Sequence, residues 1–446
     1  MDLAGLRGAV GGEVLLPDSP GYDDARRPVM ARFHDIRPRA VVRCQTAEDV
    51  AEALDFARRT GLRPAPRSGG HCFAGRSSTG GILIDVSPMN TVRVADGMAT
   101  IGAGTRLGEL YDELDGHGVT VPAGCGPTVG IAGLTLGGGI GVLSRRYGAT
   151  CDSLRAARVV LAGGSVVDCD ERHDAELFWA LRGAGGGQFG VVTSLVFDTL
   201  PAPDVTVYHL VWPYRDAARV IAAWQEWAPF APDEVSISLR VVAGADPARP
   251  AVVELVGVAI DEGAAVDSLL GRIGTGPTSM HRERLPYRAT KRFLAGLGAA
   301  EAEPAWTVHE FSRSEFFQRP LPGDAIAALL GTLTEGRRAG QSRVLDFMPM
   351  GGAYNRVPSD ATAFAHRGEW FLVEHVLRAP PGDDPGWVTR SWEALRPWGS
   401  GRVYPNFPDP RLDDWAEAYH GTNYERLRQV KEKYDPGRLF RFDQSL

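Results

Sequence analysis

The chain has 446 residues, 44% of them hydrophobic and 23% charged, with a net charge of -7. That length exceeds what a single core ordinarily holds, so two domains are expected. The acidic balance, without a Lys/Arg run to track a phosphate backbone, excludes nucleic acid as a partner, and no apolar stretch is long enough to promise membrane insertion. The expected partner is a small molecule. The N-terminus lacks a basic start followed by an apolar core, so the expected location is the cytoplasm. Oligomeric state is not legible.

Up to about Leu200 the chain is glycine-rich, and β-branched runs such as "GGILIDVS" and "ARVVLAGGSVVD" read as strands. One helix is clearly marked: Thr46 and Asp49 form a capping box, Val50, Leu54 and Ala57 share a face, and Gly61 ends it. A second helix is expected from about Arg106 to Gly116. The region reads as α+β. The prolines of "TLPAPDVTV" suggest a boundary. Beyond it, "VSISLRVVA", "AVVELVGVAI", "SRVLDFMPM" and "WFLVEHVLRA" read as strands, "RDAARVIAAWQEWAPF" and "DAIAALLGTL" as helices. A sheet covered by helices is expected, with Trp224, Trp227, Phe316 and Phe317 in its core. The final segment passes from a polar aromatic loop, "RVYPNFPD", to a helix ending in "LRQVKEKYDPGRLF".

Five cysteines (Cys44, Cys72, Cys125, Cys151 and Cys169) are odd in number and irregularly spaced, which fits neither a disulfide framework nor a zinc site. Cys44 and Cys151 read as small buried residues. The densest glycine segment is "PAGCGPTVGIAGLTLGGGIGVLSRRYG", from Pro122 to Gly148. So many glycines cost conformational entropy, which points to backbone approaching a ligand closely, with a set of tight turns as the other reading. Gly139 and Gly141 lack a third glycine because Ser144 stands in its place, and after Gly183 and Gly185 the third position is Gln188, so no nicotinamide site is read. A serine-hydrolase elbow fails because Gly75-Arg76-Ser77-Ser78 ends in Thr79. The histidines show no HExxH pair, so no metal is expected.

The stretches "RSGGHCFAGRSS", "PTVGIAGLTLGGGIGVLSRRYGATCDSL", "ELFWALRGAGGGQFGVVTS", "YPNFPD" and "YDPGRLFRFDQSL" together resemble a berberine-bridge-enzyme-like oxidase. Such enzymes belong to the vanillyl alcohol oxidase and p-cresol methylhydroxylase superfamily of FAD-linked enzymes. The resemblance runs in order from about residue 35 to the C-terminus. It implies a two-domain α+β flavoprotein. Residues 1–200 and the tail 401–446 would bind FAD, and residues 201–400 would place an antiparallel sheet, covered by helices, over the flavin.

By the same resemblance, His71 is bonded to the flavin 8α-methyl and Arg67, Ser68, Gly69 and Gly70 wrap the pyrophosphate. Relatives add a second bond from a cysteine directly before Pro-Thr-Val-Gly. Here Gly126 holds that place and Cys125 stands one residue earlier, which in extended backbone turns the side chain away, so a single covalent bond is expected, with a local bulge that restores a second link at Cys125 as the other reading. Cys72 has no assignable role. Val129 corresponds to the oxygen gate. Gly137, Gly138, Gly139, Gly141, Leu143 and Tyr147 would continue the cofactor cradle, and Val191 and Val192 would meet the adenine end. Tyr404 is the first candidate for base, with Asn406 against the flavin, and an activating cation such as Arg402 or Arg240 is required because tyrosine ionises near pH 10. Glu374 is the runner-up base, His375 its neighbour on the other face. Tyr354 and His366 would shape the domain. The implied reaction oxidises an alcohol, hemiacetal or related carbon of a sugar or secondary metabolite, with molecular oxygen giving hydrogen peroxide. An oxygenating or bond-forming tailoring enzyme and a dehydrogenase with another acceptor are the alternatives.

Overall fold

The computed structural model describes residues 3–260, 263–299 and 308–446. Helix Ala47–Thr60 starts and ends where the sequence marks it: Thr46 and Asp49 cap it reciprocally, and Gly61 closes it in the left-handed conformation. This helix crosses from strand Ala40–Arg43 to strand Pro64–Arg67. Both pair in parallel with Ile82–Asp85, and Glu13–Leu15 adds an antiparallel edge. A second, antiparallel sheet follows in the order Val92–Ala95, Met98–Gly102, Gly190–Asp198, Leu154–Leu161, Val166–Asp170. The two sheets share one core with the helix Leu107–Asp115, and the tail helix Tyr424–Tyr434 inserts Leu427, Val430 and Tyr434 into that same core.

The middle of the chain forms a seven-stranded antiparallel sheet. Its order is Ser279–Pro286, Asp204–Pro213, Val252–Ala259, Val235–Ala243, Ser342–Pro349, Phe371–Ala379, His309–Phe317. Alternation along each strand gives the sheet two different faces. One face packs Leu239, Leu255, Phe347, Val373 and Leu377 under helices Ala217–Trp227, Gly323–Thr334 and Gly386–Leu395. Trp224, Trp227 and Phe317 belong to that core. Phe316 does not: it turns to the other face, where Leu372 and Met350 pack with it against Tyr404 and Phe364.

Arg145 fixes the sheet to the first region. It is 1% exposed, and its guanidinium donates to the carbonyls of Val235 (2.8 Å), Pro229 (3.1 Å), Ala231 (2.5 Å) and Met350. Cys44, Cys151 and Cys169 are buried thiols, and no described helix is long and apolar enough to cross a membrane.

Candidate active site

A cavity of about 420 Å³ opens where the three regions meet. Its walls come from the loop after strand Pro64–Arg67, the glycine segment around Cys125 to Ile140, the start of strand Gly190–Asp198, Met348 of the large sheet, and the tail loop Tyr404 to Pro408. His71, Cys125, Val129, Tyr404 and Asn406 all line it.

The loop that carries His71 is held from behind. Arg67 lines the cavity, but its guanidinium is spent on the protein, donating to the carbonyls of Ser77, Ala25 and Arg26 and to Ser78 Oγ. Gly70 is left-handed (φ 74°), which glycine adopts without strain, and Gly69 lies so close to Gly130 that a Cβ would stand 2.2 Å from its nitrogen. His71 Nε2 sits 2.9 Å from Thr128 Oγ1. Burial pulls the imidazole down to about 4, so the ring is neutral at pH 7.

Cys125 corrects the register expectation. The Val129 amide donates to the Gly126 carbonyl at 3.1 Å, so the chain turns here instead of running extended, and Cys125 lines the cavity on which His71 opens. Lys291 Nζ reaches into the same loop, donating to the carbonyls of Ala123 (2.7 Å) and Gly124 (3.2 Å) and lying 3.7 Å from Cys125 Sγ.

The glycine run departs further from expectation. Gly137, Gly138, Gly139 and Gly141 do not line the cavity, nor do Leu143 and Tyr147. Protein packing explains them. A Cβ would lie 2.1 Å from Asn406 Oδ1 at Gly137, 2.5 Å from Phe364 at Gly138, 2.3 Å from Thr150 at Gly139, and 2.2 Å from the Ala123 carbonyl at Gly141. Leu143 is buried in the first core, and Tyr147 packs against its edge. Gly137 and the Gly139 amide thus serve as a seat for the tail loop. The glycines that leave room in the cavity are Gly133 and Gly185, whose Cβ positions meet nothing within 4 Å. Ser68, Val191 and Val192 also line it, and Ser77 Oγ is a buried polar atom on its wall with no protein partner.

Tyr404 sits on this seat. Its oxygen accepts from the Gly139 amide at 3.1 Å and from Asn406 Nδ2 at 2.9 Å, while the other Nδ2 proton of Asn406 goes to the Leu134 carbonyl at 2.9 Å. Two donors favour the phenolate, yet burial outweighs them and holds the hydroxyl well above the usual tyrosine range. The expected cation is elsewhere: Arg402 pairs with Glu417 Oε1 at 2.8 Å, and Arg240 lies 3.5 Å from Glu254.

Glu374 does not line the cavity. It sits on the same side of its strand as Leu372, away from the helices, but buried, accepting from Ser312 Oγ at 2.6 Å, and burial raises it to about 8. His375 faces the helices and meets Ser391 Oγ at 2.8 Å. Tyr354 and His366 are buried around Phe364 and Phe316. Sequence reasoning missed Thr128, Phe73, Met348 and Phe407, all at or beside the cavity. Thr128 and Phe73 stand inside quoted motifs, whereas nothing local marks Met348, which the pairing of its strand carries to the cavity.

A family model described as "FAD binding domain" matches residues 38–170, and one described as "Berberine and berberine like" matches residues 403–446. Among curated relatives, the uncharacterized FAD-linked oxidoreductase YgaK of Bacillus subtilis is 32% identical, covering 98% of this chain and 96% of its own. A chitooligosaccharide oxidase of Gibberella zeae is 31% identical over 92% of this chain and 87% of its own. The solved structure of Physcomitrella patens BBE-like 1 superposes with a TM-score of 0.88 at 27% identity, covering 100% of this chain and 99% of that one. With the cavity walled by both matched segments and these relatives matched almost end to end, the chain belongs to the berberine-bridge-enzyme-like family of FAD-linked oxidoreductases.

Proposed function

We propose that this enzyme oxidises a carbinol or hemiacetal carbon of a saccharide, with FAD bonded to His71 and oxygen reduced to hydrogen peroxide. The carrying observation is that His71, Cys125, Tyr404 and Asn406 open on one cavity although they lie far apart in the chain. The cavity suits the cofactor: Ser77 Oγ waits without a partner, and Gly133 and Gly185 leave room that a side chain would fill. The likeness to a chitooligosaccharide oxidase supports a sugar as substrate.

When bound, the flavin supplies the two-electron acceptor. Ser68, Gly69, Gly70, Val191 and Val192 would hold it. His71 suits the tether because its neutral ring keeps a lone pair for bond formation. Asn406 and the Gly139 amide fix the Tyr404 oxygen, so that its ionised form, made scarce at neutral pH by burial, would receive the substrate hydroxyl proton at a set position. Val129 leaves a small side chain on the wall for oxygen to pass. Cys125 favours a second reading of the tether, a thioether in addition to the histidyl bond, because it shares the cavity and Lys291 contacts its sulfur.

The test is acid denaturation followed by peptide mass and a saccharide screen for peroxide. Flavin retained on the peptide containing His71, with peroxide formed from a saccharide, is the expected result. A further link at Cys125 would establish the double tether. Flavin released freely would remove the covalent reading, and a screen in which no saccharide yields peroxide would remove the proposed reaction.

A further inference from the structure

Lys291 is a buried cation that the reaction above does not use. It stands on helix Tyr287–Ala299, which follows the edge strand of the large sheet, and it is 3% exposed. Its ammonium donates to the carbonyls of Ala123 (2.7 Å) and Gly124 (3.2 Å) and lies 3.7 Å from Cys125 Sγ. The rings of Tyr111 and Tyr287 flank it, their centres 4.7 and 4.9 Å away. Tyr111 also donates to the Gly124 carbonyl at 2.7 Å, so the loop before Cys125 is gripped from both regions. Among the described residues no carboxylate pairs with Lys291. Asp112 and Asp115, on the facing helix Leu107–Asp115, are held by Arg288 and Arg292.

Two carbonyls and two aromatic faces offset only part of the cost of burying an ammonium without an anion. Burial holds both tyrosines well above their usual range, so neither supplies the negative charge. The group that remains in contact is the sulfur of Cys125, a residue that lines the cavity with His71. A thiol attacks as its anion, and an ammonium against the sulfur attracts that anion. We propose that Lys291 is the positioning residue that makes Cys125 a nucleophile, and that the electrophile it meets is the flavin ring beside the His71 tether. The step forms one bond, between Sγ and a ring carbon. The thiol proton and the proton on that carbon leave, the electron pair of the broken C–H bond passes to the flavin, and molecular oxygen takes it as hydrogen peroxide. This inference rests on the FAD reading above and deepens it by assigning the charge opposite the sulfur.

The experiment compares purified wild-type holoenzyme with Lys291→Met, Lys291→Gln and Lys291→Arg. Each protein is denatured, its free thiols are alkylated with iodoacetamide, and the flavin is located by peptide mass. In the wild type the flavin is expected to join the peptides of His71 and Cys125. Lys291→Met is expected to keep flavin on His71 and to lose the bond at Cys125, which then takes the alkyl group. Lys291→Gln, which retains donors for the two carbonyls but no charge, should lose it too, and Lys291→Arg should restore part. A role in holding the loop alone would be met by Gln as well as by Arg. Wild-type Cys125 found alkylated while flavin sits on His71, or an undiminished bond at Cys125 in the Met or Gln variant, would overturn the proposal. Should neither uncharged variant fold, Lys291→Arg decides, and its failure to form the bond overturns the proposal equally. Flavin on His71 with Cys125 free defeats this inference alone, whereas flavin released from all of the proteins removes the covalent reading beneath it.

Discussion

The seat of Tyr404 makes a sharp prediction at Gly137. Its backbone (φ -102°, ψ 16°) suits any residue, so alanine there brings no torsional strain, only a methyl group. That methyl would stand 2.1 Å from Asn406 Oδ1 and 2.6 Å from Cγ. Normal contact requires the amide to retreat by about 1 Å or more. It cannot do so freely, because both Nδ2 protons are engaged at 2.9 Å, on the Leu134 carbonyl and on the Tyr404 oxygen. Losing two neutral hydrogen bonds costs about 1–3 kcal/mol in total, which is also the usual range for overpacking. Loss of the bond to Tyr404 alone should lower kcat/KM about 2- to 13-fold. Peroxide-coupled kinetics and thermal melts of Gly137→Ala, Asn406→Ala and the double variant read both effects. Asn406→Ala removes the obstructing amide, so the double variant should be no worse than Asn406→Ala, a coupling of about 1–3 kcal/mol. Costs that add within about 0.5 kcal/mol would refute the seat, since residues that share no contact behave that way.

Tyr404→Phe should lower kcat by about 10²- to 10⁴-fold with flavin content intact. Because burial raises the hydroxyl, the wild-type kcat should climb on the alkaline side, and a variant retaining that climb would assign the proton transfer to another group. Glu374→Gln should change kcat/KM by less than about threefold, and a hundredfold loss would return Glu374 to the role of base. Its stability effect has a definite sign. Between its ordinary value of 4.5 and about 8, the folded protein keeps a proton that the unfolded chain releases, so Glu374 stabilises less and less as pH rises through that window. Gln cannot lose that contribution, so the variant's melting temperature should gain on the wild type from pH 4.5 to 8, and a constant difference would contradict the buried acid. Arg145→Met deserts four carbonyls and should destabilise by more than about 3 kcal/mol in denaturant melts, whereas a cost under about 1 kcal/mol would show that the guanidinium is not the joint.

What the sequence reveals of this molecule follows the range of the forces involved. The helix Ala47–Thr60 is legible because its capping box and closing glycine are local chemistry, complete within the segment. Strands Val235–Ala243, Val252–Ala259, Ser342–Pro349 and Phe371–Ala379 are legible because each buries apolar side chains against helices. Strand Ser279–Pro286 is not. As an edge strand with mostly exposed side chains it carries histidine, arginine and glutamate, and only pairing with Asp204–Pro213 makes it a strand. The site divides in the same way. His71 and the loop before it form a local turn, so their motif can be recognised, and Tyr404 and Asn406 share one loop. That Gly137 leaves room for Asn406 and that the Gly139 amide donates to Tyr404 are contacts across more than half the chain. Glycine richness alone fits a ligand cradle and a protein seat equally, because both need backbone without side chains. The deciding quantity is what a Cβ would strike, and at Gly137, Gly138, Gly139 and Gly141 it strikes protein, while at Gly133 and Gly185 it enters the cavity. The room in the cavity therefore belongs to the second set, whereas in the first Gly137 and Gly139 place Asn406 and Tyr404, and Gly138 and Gly141 make way for Phe364 and the Ala123 carbonyl.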